Sequence, residues 1–304
     1  MELIKTRCAI CDSADDFDVV YKSNFQAEHL NATVFSARRM PDVVHYQIVR
    51  CKNDGLIRSN PVNDSDVFAG LYKKSKMNYE FEVPYLTVAY LEALDRVLPR
   101  LSRDARILEV GCGNGFMLKA LIDRGFTCVR GVEPSEDAVQ KADPFLKGAI
   151  VTDVLKEGVF PPGSFDFIYC FQTLDHIPDP GGFLKICHDL LSPGGFILAL
   201  NHDIESFSSK LLGERSPVID VEHTFLFSRE TIRMLFVRAG FMPLETYSPI
   251  NTLSLRHFFW LMPFIPRTLK SKLLNSKRNL INALLNRTIR IKLGNLCIIA
   301  QKPL

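Results

Sequence analysis

No apolar run in this 304-residue chain approaches the roughly 20 residues a bilayer-spanning helix needs, and the longest candidate, Phe258 to Ile265, is interrupted by Pro263. The opening MELIKTRCAICDS has no apolar leader stretch and mixes charges of both signs, so a cytoplasmic setting is expected. A disulfide framework is also missing, since eight cysteines are few for a chain of this length. With 47% apolar and 23% charged residues, global disorder is excluded and one large core with a smaller satellite can form. Acidic residues are absent from Thr246 to Leu304, a stretch holding ten Lys or Arg, although the whole chain carries only +3. Such a split is a clue to partners and says nothing of fold.

Between these absences the middle of the chain alternates strand and helix patterns. RILEV (106–110), TCVRGVE (127–133), GAIVTDV (148–154), FDFIYCFQ (165–172) and GFILALN (195–201) read as buried strands. A helix before them places Leu86, Tyr90, Ala93 and Leu94 on one face, and another places Met117, Leu118, Leu121 and Ile122. Asp179 and Pro180 stand where a cap and a first-turn proline belong. A later helix starts at Ser228 and stops at Gly240. Apolar strands separated by helices predict an α/β fold with a doubly wound parallel sheet.

In such a sheet ligands bind beyond the carboxyl ends of the strands. Here the first turn reads EVGCGNG, from Glu109 through Gly111, Cys112 and Gly113 to Gly115. Gly111 and Gly113 permit close backbone approach, and the helix start after Gly115 offers free N–H groups. Glu133, followed by Pro134 at the end of the second strand, can accept hydrogen bonds from both hydroxyls of a ribose. A nicotinamide dinucleotide domain would share much of this. Its G-x-G-x-x-G spacing fails, because position 116 is Phe, and Glu109 would repel a pyrophosphate while attracting an ammonium and a sulfonium.

The stretch from about 106 to 201 resembles the class I S-adenosylmethionine-dependent methyltransferases. The resemblance implies a Rossmann-like seven-stranded sheet whose antiparallel strand is NLCIIAQKP (295–303). It implies that ILEVGCGNG cradles the methionine part, Glu133 binds the ribose, and Asp153 with the Val154 backbone reads the adenine. Phe171 and Gln172 would line the cofactor beneath the methyl group.

Three polar clusters follow strand ends on the binding rim: TLDHIPDP with Asp175 and His176, NHDIES with His202, and GERSPVIDVEH with Asp220, Glu222 and His223. Histidine titrates near neutrality, so His176, His202 and His223 are alternative general bases, His176 first. The blander reading has the Asp175–His176 pair capping and orienting loops.

Near the N-terminus, Cys8-x2-Cys11 and Cys51-x2-Asp54 have the spacing of a two-knuckle zinc site with a carboxylate in fourth place. The arrangement resembles the small metal domain of methyltransferases acting on sugars, where RCxxCGL precedes an SNP turn; here the text is RCKNDGLIRSNP. Structural zinc is one expectation and a degenerate knuckle without metal the other. The expected division is a knuckle region at 1–75, a cofactor-binding core at 76–205 and a substrate cover at 206–304.

The reading is therefore a methyltransferase acting on a small polar metabolite or glycan precursor, O-methylation ahead of C-methylation. The alternatives are a nicotinamide-dependent oxidoreductase and a catalytically silent S-adenosylmethionine-binding regulator. The basic segment is expected to meet an anionic partner, either a phosphate-bearing substrate or a membrane surface, because HFFWLMPFI directly precedes Arg267, Lys270, Lys272, Lys277 and Arg278. Plain solvation of those charges is the competing reading. Nucleic acid is not expected, for no aromatic and basic recognition motif is present.

Overall fold

A computed structural model describes residues 3–26, 43–262, 265–266, 268–270 and 279–304. The elements, in chain order, are β1 (Leu3–Ile4), β2 (Phe17–Tyr21), β3 (Ile48–Cys51), β4 (Ile57–Ser59), β5 (Val62–Asn63), α1 (Ser65–Lys73), α2 (Val83–Leu94), β6 (Ile107–Val110), α3 (Phe116–Asp123), β7 (Val129–Val132), α4 (Glu136–Gln140) and β8 (Ile150–Val151). They continue with β9 (Phe165–Phe171), α5 (Pro180–Leu190), β10 (Leu191–His202), α6 (Phe207–Leu212), β11 (Phe225–Leu226), α7 (Arg229–Arg238), β12 (Met242–Tyr247), β13 (Asn251–Ser254), α8 (Leu255–Leu261), α9 (Asn279–Leu285), β14 (Thr288–Ile291) and β15 (Asn295–Gln301).

The central sheet has seven strands in the order β12-β15-β10-β9-β6-β7-β8. Strands β8, β7, β6, β9 and β10 run parallel, while β15 is antiparallel to both β10 and β12. Both faces are covered, and the side chains sort by the twofold period of a strand. Phe167, Tyr169, Leu198, Leu200, Cys297 and Ile299 face the layer made by α2 and α3. Ile168, Cys170, Ile197, Ala199, Leu296 and Ile298 face the layer of α5 and α7. Helix α5 starts where expected: the Asp179 side chain accepts from the Gly182 N–H, with Pro180 in the first turn. Ser228 opens α7 with a capping box shared with Thr231.

The third strand pairs over only Ile150 and Val151, shorter than the 148–154 reading. Strand β12 was not legible, because Pro243 interrupts it and it lies on the sheet edge, the place where a strand tolerates proline.

A second sheet, in the order β11-β4-β3-β2, holds the cysteine knuckles. Its fourth strand comes from residues 225–226, so segments far apart in sequence build it together. Cys8, Ile10, Cys51 and Leu56 pack into the same core as Leu184, Phe225 and Ile232. The N-terminal region thus shares the core of the α/β unit.

In the C-terminal block, residues 255–261 form α8, and Phe258, Leu261 and Met262 line the large cavity. Lys270 is 4% exposed and donates to the Trp260 carbonyl at 2.8 Å. Arg290 finds its acid on another element, Glu92 of α2, at 2.8 Å. Arg267, Lys272, Lys277 and Arg278 lie outside the described residues. No helix among the described residues is long and apolar enough to cross a membrane.

Candidate active site

A cavity of about 770 Å³ opens at the carboxyl ends of β6, β7, β9 and β10. Its floor is the glycine turn. Gly111 (φ 77°) must lack a side chain, since a Cβ there would stand 2.5 Å from Thr173 Oγ1. Gly113 (φ 55°) would meet the Tyr79 hydroxyl at 2.9 Å, and its N–H donates to Glu133 Oε2 at 2.8 Å. Glu133 Oε1 accepts from the Ser135 N–H, also at 2.8 Å. These bonds fix the carboxylate at the end of β7, where burial pushes its pKa up despite the two donors.

Glu109 is 2% exposed, and its Oε2 accepts from the Tyr169 hydroxyl at 3.1 Å. Burial raises its pKa well above the carboxylate range, and the charge of Glu133 adds to that effect. A cation beside these two carboxyl groups favours their ionised form, so the pair and the glycine cradle suit a cationic ligand carrying a diol. They do not suit a pyrophosphate. The donor set therefore fits S-adenosylmethionine, and Glu109, Gly111, Gly113, Glu133 and Pro134 all line the cavity.

The other cofactor candidates are distributed unevenly. Val154, Phe171 and Gln172 line the cavity. Phe171 stacks on Tyr90 with centroids 4.0 Å apart. Gln172 holds φ 50°, strained for a residue with a Cβ, and its Nε2 donates to Asn295 Oδ1. Three candidates lie off the wall. Cys112 points back beneath the turn, its sulfur filling the space a Cβ at Gly131 would need. Gly115 caps α3 with φ 75°, packed near Leu146 and Ile150. Asp153 forms an ion pair with Lys156 at 2.6 Å and accepts from the Val154 N–H.

The fold brings the three candidate histidines to one place. The rings of His176 and His223 lie 4.8 Å apart and those of His202 and His223 lie 4.6 Å apart. Between them sits Asp175, 1% exposed, accepting from His202 Nδ1 at 2.6 Å. Burial alone would raise the Asp175 carboxyl, but His202, by charge and hydrogen bond, holds it below the ordinary range with help from the other two histidines. Burial drives the His176 imidazolium down to about 3, and burial with neighbouring His202 lowers His223 as well. His176 Nδ1 lies 2.8 Å from the Tyr72 hydroxyl of α1. His223 Nδ1 lies 2.8 Å from the Val218 carbonyl.

Sequence reading missed what the N-terminal helices contribute. Tyr72, Tyr79, Glu82 and Tyr90 all line the cavity from segments preceding the first strand of the glycine motif. Glu82 is 1% exposed and accepts from Ser254 Oγ, tying the start of α2 to β13. An acid beside Val83-Pro84 at a helix start was the available signal, and it reads equally well as a cap.

In the knuckle, Cys8, Cys11, Cys51 and Asp54 place one ligand atom each within 4.8 Å of all the others. Cys8 Sγ is 3.1 Å from Asp54 Oδ2, and Cys11 Sγ is 3.4 Å from Cys51 Sγ. The two loops share one geometry: Asp12 N–H donates to Cys8 O at 2.8 Å, Gly55 N–H to Cys51 O at 3.0 Å, and both closing residues have positive φ. Asp54 therefore occupies in the second loop the place Cys11 has in the first. Three thiols and a carboxylate so arranged fit a structural zinc ion.

The methyltransferase-domain family model matches residues 84–246. A ubiquinone biosynthesis O-methyltransferase of Burkholderia vietnamiensis is 31% identical over 116 residues, 36% of this chain and 50% of that protein. The chain thus spans about half the length of the curated relatives it matches. Among solved structures, a chain of the complex between the Haloferax volcanii Trm112 methyltransferase activator and its methyltransferase partner gives a TM-score of 0.52 at 20% identity, covering 73% of this chain and 91% of that one. The [4+2]-cyclase SpnF gives 0.50 at 16% identity, covering 72% and 81%. At such identities the likeness is one of fold, and the fold alone does not choose the reaction.

Proposed function

The chain belongs to the methyltransferase-domain family, and from that premise we propose that it transfers a methyl group from S-adenosylmethionine to a hydroxyl of a small polar metabolite or glycan precursor, with His202 taking the hydroxyl proton. The cofactor supplies a methyl group on a sulfonium that leaves readily. The protein's own task is then to align the acceptor oxygen and remove its proton.

The observation carrying this reading is the 2.6 Å contact between His202 Nδ1 and Asp175 Oδ2 on the wall of the cavity that also holds Glu133 and Gly111. Ionised Asp175 can only accept, so the proton of His202 sits on Nδ1 and the lone pair of Nε2 is left for an acceptor. The buried carboxylate stabilises the imidazolium that proton removal creates, the logic of a catalytic dyad. His176, the first choice from sequence, is held neutral by burial and lies against Tyr72, so it serves better as a wall of the site. The relatives named as O-methyltransferases support oxygen as the acceptor atom.

Glu133 would bind the ribose, Glu109 the cationic end of the cofactor, Val154 and Phe171 its faces, and the glycine turn its carboxylate. The glycan-precursor half of the reading rests on the N-terminal knuckle. Against the nicotinamide alternative stand the two carboxyl groups flanking the turn.

The test uses methyl-labelled S-adenosylmethionine with fractionated small-molecule extracts. Label should pass to an acceptor oxygen, and His202→Ala should lower turnover about 10²–10⁴-fold with cofactor affinity unchanged. Cofactor binding without label transfer to any fraction would favour the silent regulator, and binding of NAD would reject the family chemistry altogether.

A further inference from the structure

Asp175 has two carboxylate oxygens, and the His202 bond engages only Oδ2. Asp175 Oδ1 is buried without a hydrogen-bond partner, 3.8 Å from His176 Nε2. Such an oxygen is rare in a folded core and asks for an explanation. Its surroundings offer one.

A backbone carbonyl can only accept, so the contact from His223 to Val218 puts the ring proton on Nδ1 and leaves Nε2 as a lone pair. His176 is anchored through the same atom, Nδ1, by Tyr72 of α1. Imidazoles tied down from behind through one nitrogen and presenting the other are what metal-ligating histidines look like. Asp175, His176 and His223 place one ligand atom each within 4.8 Å of one another. Donors on one side of a single ion with bonds near 2.1 Å stand about 3.0–3.4 Å apart, so side-chain adjustments of about an ångström each bring the three ligand atoms onto one ion.

We propose that Asp175, His176 and His223 form a binding site for a divalent transition-metal ion at the wall of the cavity. Two neutral nitrogens and one carboxylate oxygen on one side, with the cavity on the other, is a set that takes Mn, Fe or Zn and leaves coordination positions open. Asp220 and Glu222 line the same cavity. An ion there holds an oxygen of a bound small molecule beside His202, an orienting and polarising role. The site is separate from the knuckle, whose donors are mostly sulfur.

Manganese distinguishes the two, because it favours nitrogen and oxygen over thiolate. Full-length protein stripped with chelator is titrated with Mn(II), and the free-ion electron paramagnetic resonance signal is followed. One Mn(II) per chain is expected, and that stoichiometry, though not the affinity, is kept in Cys8→Ser with Cys11→Ser. His176→Ala with His223→Ala should abolish it while the demethylated cofactor still binds, which establishes that this variant is folded. Tyr72→Phe, which loosens His176 from behind, should weaken the site about 10–100-fold and decides the matter if the double variant does not fold. No saturable Mn(II) binding, or binding that neither set of histidine-side variants alters, overturns the proposal. Because the readout is metal occupancy, this holds whether or not methyl transfer is detected.

Discussion

Glu133 meets two backbone amides with its two oxygens, so it shapes the glycine turn as well as facing the cavity. Glu133→Ala should weaken binding of S-adenosylmethionine, measured by calorimetry, by about 1.5–3 kcal/mol, the range for hydrogen bonds to a charged group. An unaltered affinity would remove it from the cofactor site. At this scale the sequence was informative where a residue type can serve few ends. Glycines at 111 and 113 and an acid at 133 pointed to the cradle because few other residues combine close backbone approach with an acceptor at the next strand end. Cys112 and Asp153 were less legible, since neighbouring a motif does not say which way a side chain turns. The histidines were the hardest case. Three positions spread from 176 to 223 gave no hint that they share one carboxylate, which depends on strand ends meeting in space.

Among elements, the join between β6 and β9 rests on a clamp at its lower end. Arg106 donates to Asp166 through Nη2 at 2.7 Å and Nε at 3.1 Å, its backbone N–H adds a third bond, and Ser192 Oγ a fourth. The Arg106 hydrogen bond holds the Asp166 carboxyl down at about 2, against an ordinary 3.8. A depressed carboxyl stabilises the folded state above its unfolded pKa, and that contribution fades as pH falls from about 4 to 2. Since the pair is partly exposed, solvent screening trims its worth, and Asp166→Asn should cost about 1 kcal/mol in chemical denaturation at pH 7. The mutant and parent should converge in stability near pH 2, and a constant gap across that window would contradict the assignment. The long apolar strands were readable at this scale because both of their faces are buried. Edge strand β12 and the short β8 were not, because pairing with a neighbour, absent from any local pattern, is what makes them strands.

For the molecule as a whole, the knuckle sheet and the histidine cluster are mechanically joined. Ser59 N–H donates to Thr224 O at 2.9 Å, Ser59 Oγ to His223 O at 3.1 Å, and Thr224 N–H to Asp175 O at 2.9 Å. Loosening the knuckle should therefore be felt at His223. We expect Cys8→Ser with Cys11→Ser to lower the melting temperature by several degrees and to reduce turnover more than cofactor affinity. Unchanged melting together with unchanged turnover would mean the knuckle neither holds zinc nor braces the site. The same strand exchange bears on how the chain is made. A ribosome adds about 5–20 residues each second, so the partner of β4, at 225–226, emerges on the order of ten seconds or more after β4 itself. Through that interval the early hairpin has an unpaired edge, and β10 likewise waits for β15, which is synthesised later still. From the completion of β4 until the emergence of β15, the nascent polypeptide thus carries at least one open sheet margin for a chaperone to cover.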